Sequence, residues 1–548
     1  MKKVLALLVP IFILVFCGVC HAVEEEYVEG PLRYEFSEGQ YIVAGCDSEA
    51  EEVVIPSEVN GIRVGDIKQD AFAAAAKLKK ITIGKSISEI DKDTFSSSDE
   101  LAVIMVDAEN DTYCDADGVL YTKDMTKLVL CPKGKEVTSF TIPETVTEIS
   151  YGAFYGCKLE RIDIPDSVTK IGIHAFSECR ALESITLPDR VLIRYDAFDN
   201  TKYYNDEKNW TDGVLYIGNI LLAAKRDITE CTIREGTVNI AGLAFYTAFS
   251  LTKVTIPESV EIIQNSAFRN CISLASVTIP KSVKEIQDNA FLYCTSLAEI
   301  NIEGDGPISI GRDVLGSTAY VENPDNWEGD ELYMLYIKNV LVGVKKEAKG
   351  VIYVKEGTQS IASMAFRDCL NIDAIVIPES VEYIGDIYFS GTKTTDIYYA
   401  KSKSDWEKAV GDGCIISDVT IYFNNKGPER PPEISLIFNG EHLETDVSPM
   451  IKNGRTMVPM RAIFEALGAS VTWDGDANCA YAKKGDTEIK VTIGEYILYK
   501  DGWGIALDSA PMIISGRTMV PVRAVSEAFG ADVSWDNELR CVIIELGE

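Results

Sequence analysis

Between residues 48 and about 425 the apolar positions return in one fixed order. Leu182, Ile185 and Leu187 alternate with polar residues as a short strand should, and Pro188 follows them. Proline has no N–H for a ladder hydrogen bond, so it ends the strand. A second apolar pair comes next, as in Val168 and Ile171, and then a compact turn such as Ala175-Phe176-Ser177-Glu178-Cys179, whose Phe and Cys are expected to face inward. Pro143, Pro165 and Pro188 are evenly spaced, Pro257 and Pro280 repeat the same spacing, and the interval from Pro188 to Pro257 holds three such periods. Pro56 and Pro378 continue the series. One coil of this kind buries too few side chains to offset the conformational entropy of ordering its backbone. Stacked coils bury each other's faces, so the pattern predicts a β-strand-rich solenoid with short helical turns.

Longer phrases interrupt the coils. The segments that begin at Asp117, Asp212 and Glu331 share an apolar, strand-forming pattern and read as hairpins inserted in the array. Near its end, Trp406 lies on a predicted short amphipathic helix that would cover the open end of the core.

Beyond "NNKGPERPPE" (424–433), a proline-rich polar stretch read as a linker, the pattern changes. The line "GRTMVPMRAIFEALGASVTWD" starts at Gly454 and returns as "GRTMVPVRAVSEAFGADVSWD" from Gly516. At the same offset Asn439-Gly440 matches Asp501-Gly502, both favoured hairpin turns. Pro459 stands near the start of a predicted helix and Gly468 just past its end; Met460, Ile463, Phe464 and Leu467 mark its apolar face. Each copy therefore predicts a strand hairpin, a helix and a strand, and the two copies together a small duplicated α+β domain.

The IPxSVxxIxxxAFxxCxxL phrasing resembles the leucine-rich repeats of BspA-like bacterial surface proteins, and "GRTMVPxRAxxEAxGAxVxWD" resembles the copper amine oxidase N-terminal-like domain. The expected organisation is a signal peptide (1–22), an N-terminal segment or cap (23–47), a leucine-rich-repeat solenoid with hairpin inserts (48–425), a linker (426–433) and the duplicated domain (434–548). The first resemblance implies adhesion or protein binding. The second implies no amine oxidation, because the oxidases carry copper and the redox quinone on a different, larger domain.

Charge and targeting narrow the partners. The formal charge is -33, of which residues 429–548 hold -8 and residues 23–428 hold -27. Such a surface repels phosphate backbones, so no nucleic acid is expected. Lys2 and Lys3, an apolar run from Val4 to Val19 and Cys20-His21-Ala22 read as an export signal cut after about Ala22, with no transmembrane segment afterwards. The expected location is secreted or cell-surface. Twelve of the 14 cysteines follow the signal, and Cys157, Cys179, Cys271, Cys294 and Cys369 each stand three residues after the Phe of an Ala-Phe pair. That phase reads as small buried apolar residues in preference to a disulfide framework.

Candidate chemistry is sparse. Arg455, Arg461, Arg517 and Arg523 are the candidate contacts for an anionic ligand, since arginine's planar fork suits carboxylate or phosphate. The simpler reading pairs Arg461 with Glu465 and Arg523 with Glu527, four apart on a helix. Asp474, Asp476 and Asn478 imitate the start of a calcium loop, but Cys479 fills the position that requires glycine. His174 lies in a repeat turn where other coils carry Tyr, Asn or Ser. The aromatics Tyr203, Tyr204, Trp210, Trp327, Tyr398 and Tyr399 could stack on sugars or pack the inserts. No catalytic, metal-binding or cofactor-binding constellation emerges, so the expected protein is not an enzyme. Its expected partner is an extracellular protein, bound through the solenoid. The alternative is a glycan, with the C-terminal module attached to the cell wall and the solenoid as spacer.

Overall fold

The computed structural model describes residues 27–547 apart from 92, 195, 329–331, 387–394 and 411–418. The signal peptide of the sequence reading lies outside them. The chain forms two compact units, one of residues up to 184 with 196–202, the other of 185–195 with 203–548.

In the first unit, parallel strands stack coil on coil. Val53 pairs beside Ile81 and Ile81 beside Ile104, and Leu128, Ile149 and Ile171 form a second column. All six are buried, because each coil presents the same apolar position to its neighbour. At the N-terminal end the antiparallel strands Leu32–Ser37 and Gln40–Cys46 place Leu32, Tyr34 and Val43 in this core. The insert near Asp117 is a hairpin of Tyr113–Ala116 and Val119–Thr122.

The second unit repeats the design. Leu221, Ile240, Ile263, Ile286 and Ile310 follow one another in parallel register. The hairpin inserts appear as Val214–Ile217 with Ile220–Ala224 and as Met334–Ile337 with Val340–Val344. Proline follows strands such as Lys253–Thr255 and Ser276–Ile279 as expected, and its carbonyl then accepts from the Val three residues on, as in Val260 N to Pro257 O (3.1 Å) and Val283 N to Pro280 O (3.0 Å). Near the end of the array, the helix Lys403–Ala409 opens on a Ser402–Asp405 capping box. Its Trp406 is buried edge-on against Tyr399 at 5.2 Å.

The Ala-Phe turns build a spine. Phe154, Phe176 and Phe198 stack at 5.0 and 5.2 Å in the first unit, and Phe245, Phe268 and Phe291 at 4.8 and 5.1 Å in the second. The cysteines of the fixed phase are buried thiols. Cys179 Sγ donates to Phe154 O (2.9 Å), Cys271 to Phe245 O (3.2 Å) and Cys294 to Phe268 O (3.0 Å). Each thiol thus adds a second hydrogen bond to a turn carbonyl of the preceding coil, which already accepts a backbone N–H within its own turn, as Phe268 O does from Cys271 N (3.1 Å). The eleven described cysteines are all free. Burial pushes Cys179 and Cys369 up to about 12 and Cys46 and Cys231 up to about 11, from 9.0.

Some local readings change. Ile185 and Leu187 are only half-buried. In the stretch read as a linker the residues from 424 to 433 are exposed apart from Gly427, which is half-buried at φ +68°, where a Cβ would stand 2.9 Å from Tyr398 Cγ and Val376 Cγ2. The position of His174 is occupied by Gly152, Ser266 and Asn289 in other coils, each with φ between +50° and +60°; Tyr151 stands one residue earlier than that position and meets the His174 ring edge-on at 5.7 Å.

The C-terminal module carries more strands than the predicted hairpin, helix and strand. Each copy has a further hairpin before its helix, Met450–Lys452 with Arg455–Pro459 and Met512–Ile514 with Arg517–Pro521, and a further strand after it, Cys479–Lys484 and Cys541–Leu546. The two strands that lead into the helices pair antiparallel, Val458 against Val520. The helices Met460–Ala466 and Val522–Ala528 follow directly, and their apolar faces join one core around Val458, Phe464, Val520 and Val525. The outer side of the paired hairpins is covered by Leu332, which packs with Met457, Ile514 and Met519.

Candidate functional site

Two features present side chains in a form that could bind. The first is the edge of the coils made by the Ala-Phe turns in the second unit. The turn backbones are bonded coil to coil, Phe245 N to Ala267 O (2.7 Å), Thr247 N to Arg269 O (3.1 Å) and Asn270 N to Leu292 O (2.9 Å). With Phe and Cys pointing in, the residues between and after them point out. Tyr246, Phe249, Ile272 and Tyr293 are exposed there by 36, 51, 41 and 43 %. The Arg269 guanidinium lies 5.6 Å over the Tyr293 ring. Tyr293 sits at φ +62°, where the equivalent turn of the first unit has Gly156. A bulky side chain in the left-handed region is held there at some cost in conformational energy.

The second feature is a pair of clefts in the C-terminal module. The candidate arginines come together in twos, each two drawn from opposite copies. Arg455 and Arg523 line a cleft of about 930 Å³ with Lys500, Trp535 and Arg540. Arg461 and Arg517 line a cleft of about 260 Å³ with Trp473. In both, a hairpin of one copy faces the helix and following strand of the other.

Carboxylates meet these arginines. Arg455 Nε donates to Asp508 Oδ2 at 2.7 Å and Arg517 Nε to Asp446 Oδ2 at 2.5 Å. The Arg517 hydrogen bond holds the Asp446 carboxyl below its usual range. Arg461–Glu465 and Arg523–Glu527 are both at 3.9 Å along their helices. The simpler reading of those two pairs is therefore realised in the geometry, beside an open cleft.

The remaining sequence candidates serve the fold. Asp474 Oδ1 accepts from Asp476 N and Ala477 N at 3.1 and 3.0 Å, and Asp536 Oδ1 from Glu538 N and Leu539 N at 2.9 and 3.0 Å, so these aspartates fasten hairpin turns. Tyr399 is fully buried. Tyr203 donates to Tyr216 O (2.7 Å), Trp210 to Tyr204 O (2.8 Å) and Trp327 to Val321 O (2.8 Å), the bonds of packed inserts. His174 Nδ1 lies 3.3 Å from Ser177 Oγ within its own turn. Sequence reasoning missed Lys500, Asp508, Trp535 and Arg540 in the larger cleft, and the outward residues of the turn edge.

Coils with an inward Phe and Cys, a proline-ended strand and hairpin inserts, joined to a duplicated β-rich module, define a leucine-rich-repeat solenoid with an appended domain. Residues 39–116, 131–219, 215–323 and 350–425 match the BspA type leucine rich repeat region, and residues 437–544 match the copper amine oxidase N-terminal domain. The chain belongs to the BspA type leucine rich repeat family. It is similar to a leucine-rich repeat protein of Bacteroides ovatus, at 22% identity over 72% of this chain and 76% of that one with a TM-score of 0.21. It is also similar to a leucine rich cell surface protein of Faecalibacterium prausnitzii, at 19% identity over 71% of this chain and 98% of that one with a TM-score of 0.25. A Brevibacillus choshinensis protein described as a protease inhibitor is 30% identical over 123 residues, 21% of this chain. The match spans 36% of that relative's length. Among the described residues no helix is long and apolar enough to cross a membrane.

Proposed function

We propose that this chain is an exported, non-catalytic recognition protein that binds a partner protein through the turn edge of its repeats. The observation that carries this reading is the run of Tyr246, Phe249, Ile272 and Tyr293 on three consecutive, mutually bonded coils. Apolar residues scattered singly on a surface need no explanation, whereas a contiguous run on a rigid edge is a feature of interaction sites. Aromatic side chains held by a stiff backbone bring large contact area at little entropic cost on binding. The charge of -33 favours a basic partner by long-range attraction. Extracellular or cell-surface placement is in keeping with the repeat family, and export itself rests on the leader read at residues 1–22.

The reading is tested with the intact mature chain immobilised against extracellular matrix proteins and isolated bacterial cell walls. Binding by the wild type that falls about tenfold or more in a Phe249→Ser, Ile272→Ser double variant supports it. Saturable binding to no protein partner, or binding indifferent to those two positions, rejects it.

A further inference from the structure

The two clefts of the C-terminal module are built from equivalent residues of a duplicated chain, so one serves as an internal control for the other. Arg455 and Arg523 in the larger have Arg517 and Arg461 as equivalents in the smaller, and Trp535 has Trp473. The carboxylates that meet these arginines are equivalent too, Asp508 to Asp446 and Glu527 to Glu465. Arginines, carboxylates and indole therefore belong to the common scaffold.

What differs is added charge and space. The larger cleft gains Lys500 and Arg540 at positions where the other copy carries Phe438 and Asn478. The same fold accepts Phe and Asn at those places, so folding does not demand the two cations. Lys500 forms no ion pair or side-chain hydrogen bond among the described residues, although it lines a cleft that also holds Asp508, Glu527 and Glu538. Asp508 is engaged by Arg455. Four cations against three carboxylates leave the cleft with a positive excess in a chain of net charge -33. Its volume is about 930 Å³ against about 260 Å³ for its counterpart. Beside the cations stand the partly exposed indole of Trp535 and the uncharged polar groups of Thr456, Ser534 and Asn537.

We propose that the larger cleft binds an acidic saccharide, with a pyranose ring on the Trp535 indole, its carboxylate at Lys500 and Arg540, and its hydroxyls at the uncharged polar groups. A flat apolar face, scattered hydroxyl partners and a localised positive charge match a sugar acid group by group. This inference is independent of the repeat edge and of the partner bound there.

The experiment titrates the intact chain with an oligogalacturonate, with the neutral galactose oligomer of the same linkage, and with a poly-glutamate peptide. Lys500→Phe and Arg540→Asn, combined, install the residues the other copy already carries, and an unchanged circular dichroism spectrum confirms folding. The expected result is binding of the uronate oligomer alone, weakened about tenfold by the double variant and by added salt, and changed less than about twofold by Arg461→Gln in the smaller cleft. Equal binding of the neutral oligomer, equal or tighter binding of the peptide, no uronate binding at millimolar concentration, or an unaffected double variant would each overturn the proposal.

Discussion

Val458 pairs with Val520, its own equivalent in the second copy, and Met457 and Pro459 pair in return with Pro521 and Met519. A pseudo-twofold axis thus passes between the two valines. Contacts between the copies occur twice, which is why Arg455 reaches Asp508 and Arg517 reaches Asp446. The duplicated line encodes a symmetric interface as well as a fold.

The axis makes a stability prediction. Both valines are fully buried, so Val458→Ala and Val520→Ala should each cost about 2 kcal/mol through lost burial and a residual cavity. Because they touch, the double variant should depart measurably from the sum of the two. Denaturant unfolding of the intact chain checks this, and strict additivity would place the two residues apart.

The aromatic spine is predicted to be more demanding. Phe268 stacks between Phe245 and Phe291 and is fully buried, so Phe268→Ala should cost about 3–5 kcal/mol. At the neighbouring thiol, Cys294→Ser should be tolerated better than a purely apolar replacement allows, since the hydroxyl can still donate to Phe268 O. Thermal unfolding of Cys294→Ser and Cys294→Val compares the two; a more stable valine variant would deny the hydrogen bond its role.

Tyr293 predicts an exchange of stability for binding. Its φ of +62° is one that asparagine adopts more readily. Tyr293→Asn should therefore stabilise the protein by about 0.5–1 kcal/mol while weakening the partner at the turn edge. A variant that loses stability and keeps its binding would assign Tyr293 to packing.

The buried thiols predict alkaline sensitivity. Burial raises Cys179 and Cys369 to about 12 and Cys46 and Cys231 to about 11 in the folded state, against 9.0 for a free thiol. Below pH 9 both states hold the proton and this stability is fully present. Between there and about pH 11 to 12 only the unfolded state releases it, so stability falls as pH rises, by up to about 1.4 kcal/mol per unit for each thiol. Urea midpoints of the wild type and of Cys179→Ala between pH 8 and 10 should show the shallower slope in the variant. Parallel slopes would refute the contribution.

The repeat array was readable because its physics is local. Pro165 ends a strand, and Phe176 and Cys179 point inward, for reasons that act within one coil. What the thiol bonds to was not readable, since the Phe154 carbonyl belongs to the coil before. One contact of the linker was hidden for a similar reason: its proline and polar residues give no sign that Gly427 lies closely against Tyr398 and Val376 of earlier coils. In the C-terminal module the duplication was plain, but which arginines meet depends on strands pairing across copies, 53 and 71 residues apart for the two ion pairs. One signal lay within reach. Aligning the copies sets Lys500 against Phe438 and Arg540 against Asn478, and that asymmetry marks the larger cleft.

The turn edge as the recognition surface is tested most directly by hydrogen–deuterium exchange on the intact chain, with and without a matrix protein that binds it. The account predicts protection concentrated at residues 245–250, 269–273 and 292–296. Protection confined to residues 435–547, or to the outward faces of the strands such as Lys253–Thr255 and Ser276–Ile279, would contradict it.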